Sequence, residues 1–358
     1  MAALTPSQVT DLSNTTLSEL GRFKMIDLTT DLREHVAMSN LMTKSRISLQ
    51  SGKDISWNVL ESNDDNARNV GLYSRNNTNV KDGSLVLTIP WRQTETSCAY
   101  DVVEAALNRS NSQIVNFVNE KIQMSRGGLT ELFEANWWQG VSSSTDDVTP
   151  FGLFGYWLDG SSGTLSSTFG FNGSNGNYGS IGGQDADVHT RLKHGSYDYT
   201  NVTDDDLVDG LRDCIKLSEW MPTVKNAKIP GYSNGERRVM YTGWTTQKAL
   251  AKLARSNNDS LGSDLDAYGD TVRVMGVPVR EVPYITKNKT TSLPVVGIDW
   301  KQVHTCILSG HFGTQTKFTV APTQNSVRES FTRFVYNYRI WDRRKGIFLA
   351  AKSDPISS

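Results

Sequence analysis

The sequence predicts an α+β chain. Three observations carry that reading: apolar residues at alternate positions over 46–59 and again over 85–91, helical spacing from about 100 to 138, and a return to strand patterning after 271. Strict alternation gives a strand one apolar face, whereas recurrence every three or four residues gives a helix one apolar stripe. A mixed helix-and-strand stretch separates the long helix from the late strands, which therefore complete a sheet opened earlier in the chain.

Residues 1–45 begin with Thr5-Pro6, which suits an N-cap followed by proline at the first helical position. Leu17, Leu20, Ile26, Leu28 and Leu32 follow no firm period, so this segment reads as an arm that cannot build a core alone. From 46 the period is two. Ile47 and Leu49, then Ile55, Trp57 and Val59, fall on odd positions, as do Leu85, Leu87, Ile89 and Trp91. Residues 60–84 join them, most of them in the polar run "NDDNARNVGLYSRNNTNVKDG". Ordinary hairpin loops have roughly two to five residues. A long two-stranded projection with a polar tip is expected, and because an isolated hairpin is marginal in water its apolar face needs a partner surface.

In the helical stretch, Leu107, Ile114, Val118 and Ile122 share one spacing with Leu129, Leu132, Phe133 and Trp137. Asp101 and Glu104 stand where the positive end of the helix dipole favours them. Gly127-Gly128 leaves open one helix or two in line, and Gly140 is the expected terminator. Residues 141–200 have loop and short-strand composition, anchored by Phe151, Phe154, Tyr156 and Trp157. A helix follows, with Thr203 as N-cap and Leu207, Leu211 and Ile215 on its apolar face. "RRVMYTG" (237–243) is a strand, and Thr245 caps a second helix. "TVRVMGVPVREVPYI" (271–285) reads as strand, turn, strand, and "LPVVGIDWKQVHTCIL" (293–308) as strand with a turn around Gly297. Phe334, Tyr336, Tyr338 and Ile340 alternate, and "DRRKG" (342–346) turns that strand into "IFLAA" as a C-terminal hairpin.

Composition limits the functions available. Charges nearly cancel, 37 basic against 38 acidic residues, which argues against a general electrostatic grip on nucleic acid. A local basic patch remains, with "RIWDRRKG" and its Trp341 as the candidate, although a charged turn is the plainer reading. Cys98, Cys214 and Cys306 lie far apart without a CxxC, so neither a disulfide framework nor a zinc site is signalled. There is no signal-peptide apolar region and no run of about 18 apolar residues, so a soluble protein made inside a cell, with no membrane partner, is expected.

"GYSNG" (231–235) matches the nucleophile-elbow pattern and would make Ser233 a hydrolase nucleophile. An elbow needs a buried strand before it and a helix after it; here Pro230 precedes and a strand follows, so a loop is expected. Asp185, Asp187, His189 and His194 could share one side of a strand and hold a metal, but a solvated loop is expected there too. "GSNGNYG" and "GSIGG" lack the strand-then-helix setting of a phosphate loop. No catalytic residue, cofactor or metal is therefore expected. The Gly/Ser/Asn/Trp-rich stretch 150–180 leaves a glycan-binding surface protein as a further alternative.

The order of parts, with "LTIPWRQTETSCAYDVVEAALNRSNSQIVNFV", "PVVGIDWKQVHTCILSG" and "FVYNYRIWDRRKGIF", resembles the major capsid proteins of tailed bacteriophages, of the Hong Kong 97 type, over nearly the whole chain. The resemblance implies an N-terminal arm (1–45), an extended E-loop (46–96), a P-domain with a spine helix (97–159), an inserted A-domain (160–290) and a return to the P-domain (291–358). It implies hexamers and pentamers of an icosahedral head around double-stranded DNA. The partners would be the chain itself, a portal, scaffold or decoration proteins, and packaged DNA through weak non-specific contact; the location would be the virion. On this reading the E-loop's apolar face, made of Ile55, Trp57, Val59, Leu85, Leu87 and Ile89, lies across an adjacent subunit. Some members of the family cross-link an E-loop lysine to a neighbour's asparagine. Lys53, Lys81 and Asn337 stand in suitable segments, but no matching acid is identifiable, so the cross-link is not carried over. An encapsulin-like compartment shell is the alternative function, and a Ser233 hydrolase stands behind it.

Overall fold

A computed structural model describes residues 36–41, 46–62, 66–72, 80, 82–107, 111–159, 165–220, 237–256 and 272–353. The arm through residue 35, Lys81 and the "GYSNG" loop with Ser233 lie outside the described residues. The chain divides into two compact units: one of Met1–Arg33, Thr94–Leu132 and Gly313–Phe334, the other of Glu34–Gln93, Phe133–Phe312 and Val335–Ser358.

The second unit is built on a seven-stranded sheet ordered β5 (Gly170–Gly173), β6 (His194–Asp198), β14 (Ile347–Ala351), β10 (Val295–Asp299), β7 (Arg238–Thr242), β9 (Val277–Glu281) and β8 (Val272–Val274). β10 and β14 are buried along their whole length, which is why "VVGID" and "IFLAA" are near-continuous apolar runs without alternation. A turn around Gly297 was expected, yet Gly297 sits mid-strand, opposite Phe348 and Met240. The Phe348 ring lies where a β-carbon would be, 2.2 Å from its ideal position, so glycine is there for close approach. β8 and β9 are joined through Met275 and Gly276, both at positive φ, the conformation of a tight hairpin turn. "PYI", expected to continue the strand, instead enters helix α6 (Pro283–Asn288), with proline in its first turn.

Helix α4 (Asp209–Leu217) lays Leu211, Cys214 and Ile215 on this sheet, in one cluster with Tyr197, Tyr199, Trp220, Met240 and Phe348. The expected Thr203 cap is not made. A π-helical turn, Asp204–Val208, precedes α4, and the Asp206 carboxylate takes the Thr200 and Asn201 N–H groups at 2.9 and 2.8 Å. Helix α5 (Trp244–Ser256) likewise starts ahead of Thr245, with the Trp244 N–H donating to Thr286 Oγ1 at 3.0 Å.

The predicted C-terminal hairpin is not one. β13 (Gln324–Ile340) belongs to a five-stranded sheet and β14 to the seven-stranded one. The short helix α7 (Arg343–Gly346) joins them, capped by the Asp342 carboxylate, which accepts the Arg344 and Lys345 N–H groups. In the five-stranded sheet, β1 (Arg46–Leu49) runs parallel to β11 (Val303–Gln315), so it stands apart from the hairpin strands with which its alternation grouped it.

Helix α3 (Asn111–Trp138) is 28 residues long and continuous through Gly127-Gly128. The chain enters it from β4 (Arg92–Asp101) through the short helix α2 (Val102–Leu107), so strand persists to the point where helix was expected to begin. Each glycine costs a helix about 1 kcal/mol against alanine. The helix's C-terminal end offsets that cost, since Phe133, Trp137 and Trp138 are buried against Tyr336, Tyr338 and Tyr241 at centroid distances of 5.1, 5.0 and 5.7 Å. Buried Glu134 accepts the Trp138 indole N–H at 2.7 Å and the backbone N–H groups of Ala37 and Met38 at 3.2 and 3.0 Å. Helix α1 (Val36–Ser39), within the arm segment, is thereby fixed by a charge-assisted bond to its first turn. Gly140, at φ +70°, ends α3 as its position predicts.

In the first unit, the β13 segment pairs with β12 (Thr319–Ala321), with a bulge at Val320/Ala321, and with β4. Arg333 Nε donates to the Glu95 carboxylate, and Tyr100 packs edge-on against Phe318 at 5.2 Å. Among the described residues no helix is long and apolar enough to cross a membrane.

Candidate assembly surface

β2 (Asp54–Leu60) and β3 (Ser84–Pro90) form a two-stranded antiparallel sheet in the register Ile55↔Ile89, Trp57↔Leu87 and Val59↔Leu85. The six apolar residues singled out from alternation thus face one another in three pairs on a single face. Their surroundings differ from expectation. Ile55, Trp57, Leu87 and Ile89 are already buried within the chain, so their side chains are not free to lie against another copy. Val59 and Leu85, half-buried at the outer end, are the members of the set that remain partly open.

The cover comes from a segment whose residues carry no sign of that placement. The Thr88 N–H donates to the Gly182 carbonyl at 3.0 Å. Gly182 has φ +60°, and a β-carbon on it would stand 2.7 Å from Leu87 Cβ. The Gly182 N–H in turn donates to the Tyr156 hydroxyl at 2.6 Å, and Tyr156 is stacked on Phe151 with ring centroids 3.9 Å apart. From another side, the Arg339 guanidinium lies 5.7 Å from the Trp57 ring centroid, and Asn337 Nδ2 donates to the Pro90 carbonyl at 2.8 Å. His189 Nδ1 and Glu61 Oε2 are 2.8 Å apart just beyond the end of β2. The hairpin is therefore anchored from its base at Pro90 out to Glu61, and none of these contacts reaches the tip beyond it.

The outer half of the hairpin is not uniformly polar. Leu72 and Val80 are 93% and 98% exposed, and Leu60, Val70 and Val86 are exposed as well. A single valine or leucine on a surface needs no explanation, but five on one projection form an unburied apolar set.

The structure does not assemble the metal candidates. Asp185 Oδ1 accepts Asn175 Nδ2 and the Asp187 N–H, Asp187 pairs with Lys193 at 2.8 Å, and His189 turns to Glu61. Among the described residues no group of three or more His, Cys, Asp or Glu side chains could hold a metal. His194 is fully buried; its Nε2 accepts the Asp159 N–H at 2.7 Å and its Nδ1 donates to the Gly195 carbonyl at 2.8 Å. Burial, then the nearby Arg343 charge, lower its pKa from 6.5 to about 3. Between those values the unfolded chain holds a proton that the folded chain refuses, so stability falls as pH drops through the window, by about 1.4 kcal/mol per unit from this group. Unfolding free energies of the wild type and His194→Gln, measured from pH 7 to pH 4, should differ in slope by close to one proton; equal slopes would refute this account.

Asn337 is fully buried: its Oδ1 accepts the Phe151 N–H at 2.9 Å while its Nδ2 serves Pro90. Its amide is committed to holding the base of the hairpin. All three cysteines are free and buried, and burial raises each thiol's pKa.

The chain has the Hong Kong 97-type α+β fold, that of phage-capsid and encapsulin shell subunits. The capsid asymmetric unit of cyanophage A-1(L) matches it with a TM-score of 0.62 at 13% identity, over 95% of this chain and 99% of that one. The capsid of the native GTA particle matches with a TM-score of 0.54 at 12% identity, over 98% and 100%. The holo-SrpI encapsulin complex from Synechococcus elongatus PCC 7942 gives 0.52 at 9% identity, over 99% and 97%. No protein-family model and no curated protein sequence matches the chain.

Proposed function

We propose that the chain is the major capsid protein of a tailed bacteriophage, self-assembling into hexamers and pentamers of an icosahedral head around double-stranded DNA. The observation that carries this reading is the whole-chain likeness to the cyanophage A-1(L) capsid subunit, with both chains covered almost end to end. The anchored hairpin with its unburied apolar outer half supports it, because such a projection has a use only against a partner. In this reading residues 46–96 are the E-loop, 97–159 carry the spine helix, 160–290 are the A-domain and 291–358 return to the P-domain. The surface offered to the neighbouring copy is the outer set, Val59, Leu60, Leu85 and Val86 with the tip. Portal, scaffold and decoration proteins would be the other partners, and the virion the location.

Electron microscopy of the purified chain tests this: capsomers, shells, sheets or tubes are expected, and deletion of residues 60–84 should abolish them while leaving the far-UV helix signal. A protein that stays monomeric at high concentration would sink the proposal. The likeness to the SrpI encapsulin subunit favours one second reading, a compartment shell loaded with protein. Nuclease-protected DNA inside native particles supports the head; protein cargo without nucleic acid supports the compartment.

A further inference from the structure

Among the described residues, the edge strands of the three sheets are blunted with one exception. In the five-stranded sheet β1 has four residues, β12 has three and a bulge, and β4 carries Arg92, Glu95 and Asp101. In the seven-stranded sheet β5 has four residues with a register shift, and β8 has three. The outer edge of β3 is taken where the Thr88 N–H meets the Gly182 carbonyl. β2 differs. It runs for seven residues in unbroken register with β3, without bulge, proline or lysine, and its only charge is Asp54 at the first position. Among the described residues no strand lies on its other side.

Which backbone groups of β2 face outward follows from the bonds of its neighbours. The Thr88 N–H and the Pro90 carbonyl turn away from β2, to Gly182 and Asn337, while the Glu61 N–H turns inward to the Gly83 carbonyl at 2.8 Å. In an antiparallel ladder, pairs that exchange hydrogen bonds alternate with pairs that turn those groups outward. Ile55, Trp57 and Val59 therefore bond to β3, and Asp54, Ser56, Asn58 and Leu60 turn their N–H and C=O groups the other way. All four residues are exposed, and among the described residues none of those outward groups has a hydrogen-bond partner. An open, regular edge of this kind is a template for a further strand.

We propose that β2 pairs antiparallel with β2 of a second copy across a twofold axis, Trp57 opposite Trp57, joining two hairpins into one continuous sheet. A twofold contact needs a self-complementary surface, and this register supplies one. Ser56 stands opposite Asn58 of the second copy and Asp54 opposite Leu60, so every outward residue exchanges hydrogen bonds with another outward residue. Ile55 stands opposite Val59, which keeps the apolar faces on one side. Just beyond the strand, Lys53 stands opposite Glu61 of the second copy, at both ends of the contact. Lys53 is exposed and has no ion pair among the described residues, and Glu61 holds His189 through Oε2, leaving Oε1 for the lysine. A shift of two residues either way keeps the bonding pattern but separates both charge pairs and leaves part of each strand unpaired. That charge complementarity selects a second β2 as the occupant. The pairing goes beyond the capsid reading, since it rests on the sheet edge and holds for either kind of shell.

The test is cysteine pairing in the full-length chain under copper–phenanthroline oxidation. Residues in a hydrogen-bonded antiparallel pair have Cα atoms about 5.5 Å apart, within disulfide reach. Ser56→Cys with Asn58→Cys should give a covalent dimer on a non-reducing gel. Neither single variant should, because each new thiol then faces an unreplaced residue of the second copy. Cys98, Cys214 and Cys306 are buried and stay out of the reaction. Lys53→Glu should weaken self-association, read by sedimentation, about tenfold, and Lys53→Arg should leave it near the wild-type value. Absence of the covalent dimer in the double variant overturns the proposal. Equal cross-linking by either single variant marks another register or chance collision and overturns it as well, as does a Lys53→Glu variant that associates like the wild type. Electron microscopy separates the two readings: particles without the covalent dimer sink this pairing alone, and covalent dimers without particles sink the shell alone.

Discussion

Replacing Arg343 by leucine is expected to cost about 3–5 kcal/mol, a large part of a typical domain's total stability. The side chain is buried, and its Nε, Nη1 and Nη2 donate to the carbonyls of Trp157, Leu192 and Ser174 at 2.6, 3.0 and 2.6 Å. Those three carbonyls belong to three separate segments, so one guanidinium ties together chain that would otherwise have unsatisfied acceptors in the interior. Asp159, also buried, supplies the compensating charge; burial lowers the Arg343 pKa to about 9, and Asp159 and then Tyr156 pull it back up. Leucine removes the donors and the positive charge beside Asp159, whose carboxylate still accepts the Ser174 N–H. Lysine restores the charge without the planar fork, so Arg343→Lys should recover part of the loss. Thermal or denaturant unfolding measures both variants, with a melting temperature lowered by roughly 10 °C expected for leucine. A leucine variant that melts within a degree or two of the wild type would show that the three carbonyls find other donors.

The same residue marks where sequence stops being informative. "RIWDRRKG" reads as a charged turn because three basic residues in a row are usually solvated, and nothing local separates the buried strut from the stacked or paired cation. The partners of Arg343 are main-chain carbonyls 151 to 186 residues away, and a carbonyl leaves no trace in residue identity. The hairpin was legible for the opposite reason: its register follows from alternation, so Ile55, Trp57 and Val59 face Ile89, Leu87 and Leu85 as the period requires. What covers that face was not legible. An apolar face states that it needs a partner but not which one, and "GSIGG" carries no mark that Gly182 would seat against Leu87. α3 was legible as a helix through its spacing, whereas its continuity across Gly127-Gly128 depends on tertiary anchoring at its far end. In the metal candidate, spacing alone placed Asp185, Asp187, His189 and His194 together, and each found a different partner once the chain folded.

Substituting Leu72 and Val80 together by aspartate should abolish assembly while leaving the subunit's fold and melting temperature almost unchanged. Both side chains are nearly fully exposed, and surface substitutions of that kind change stability by about 0.5 kcal/mol or less. In an assembled shell each side chain, once covered by a neighbour, would contribute about 1.5–3 kcal/mol, and a buried aspartate would oppose docking further. A loss of about 1.4 kcal/mol at one contact already means tenfold weaker association, and every subunit repeats the contact. Ile55→Asp is the counterpart: Ile55 is buried within the chain, so its replacement should lower the melting temperature of the unassembled subunit. Sedimentation and electron microscopy give the assembly readout, and calorimetry gives the fold. If the double aspartate variant still forms particles at wild-type concentrations, the tip does not seat on a neighbour, and the contact must lie on the rest of the outer set, Val59, Leu60, Leu85 and Val86. The two variants therefore separate what the hairpin does for its own chain from what it does for the next one.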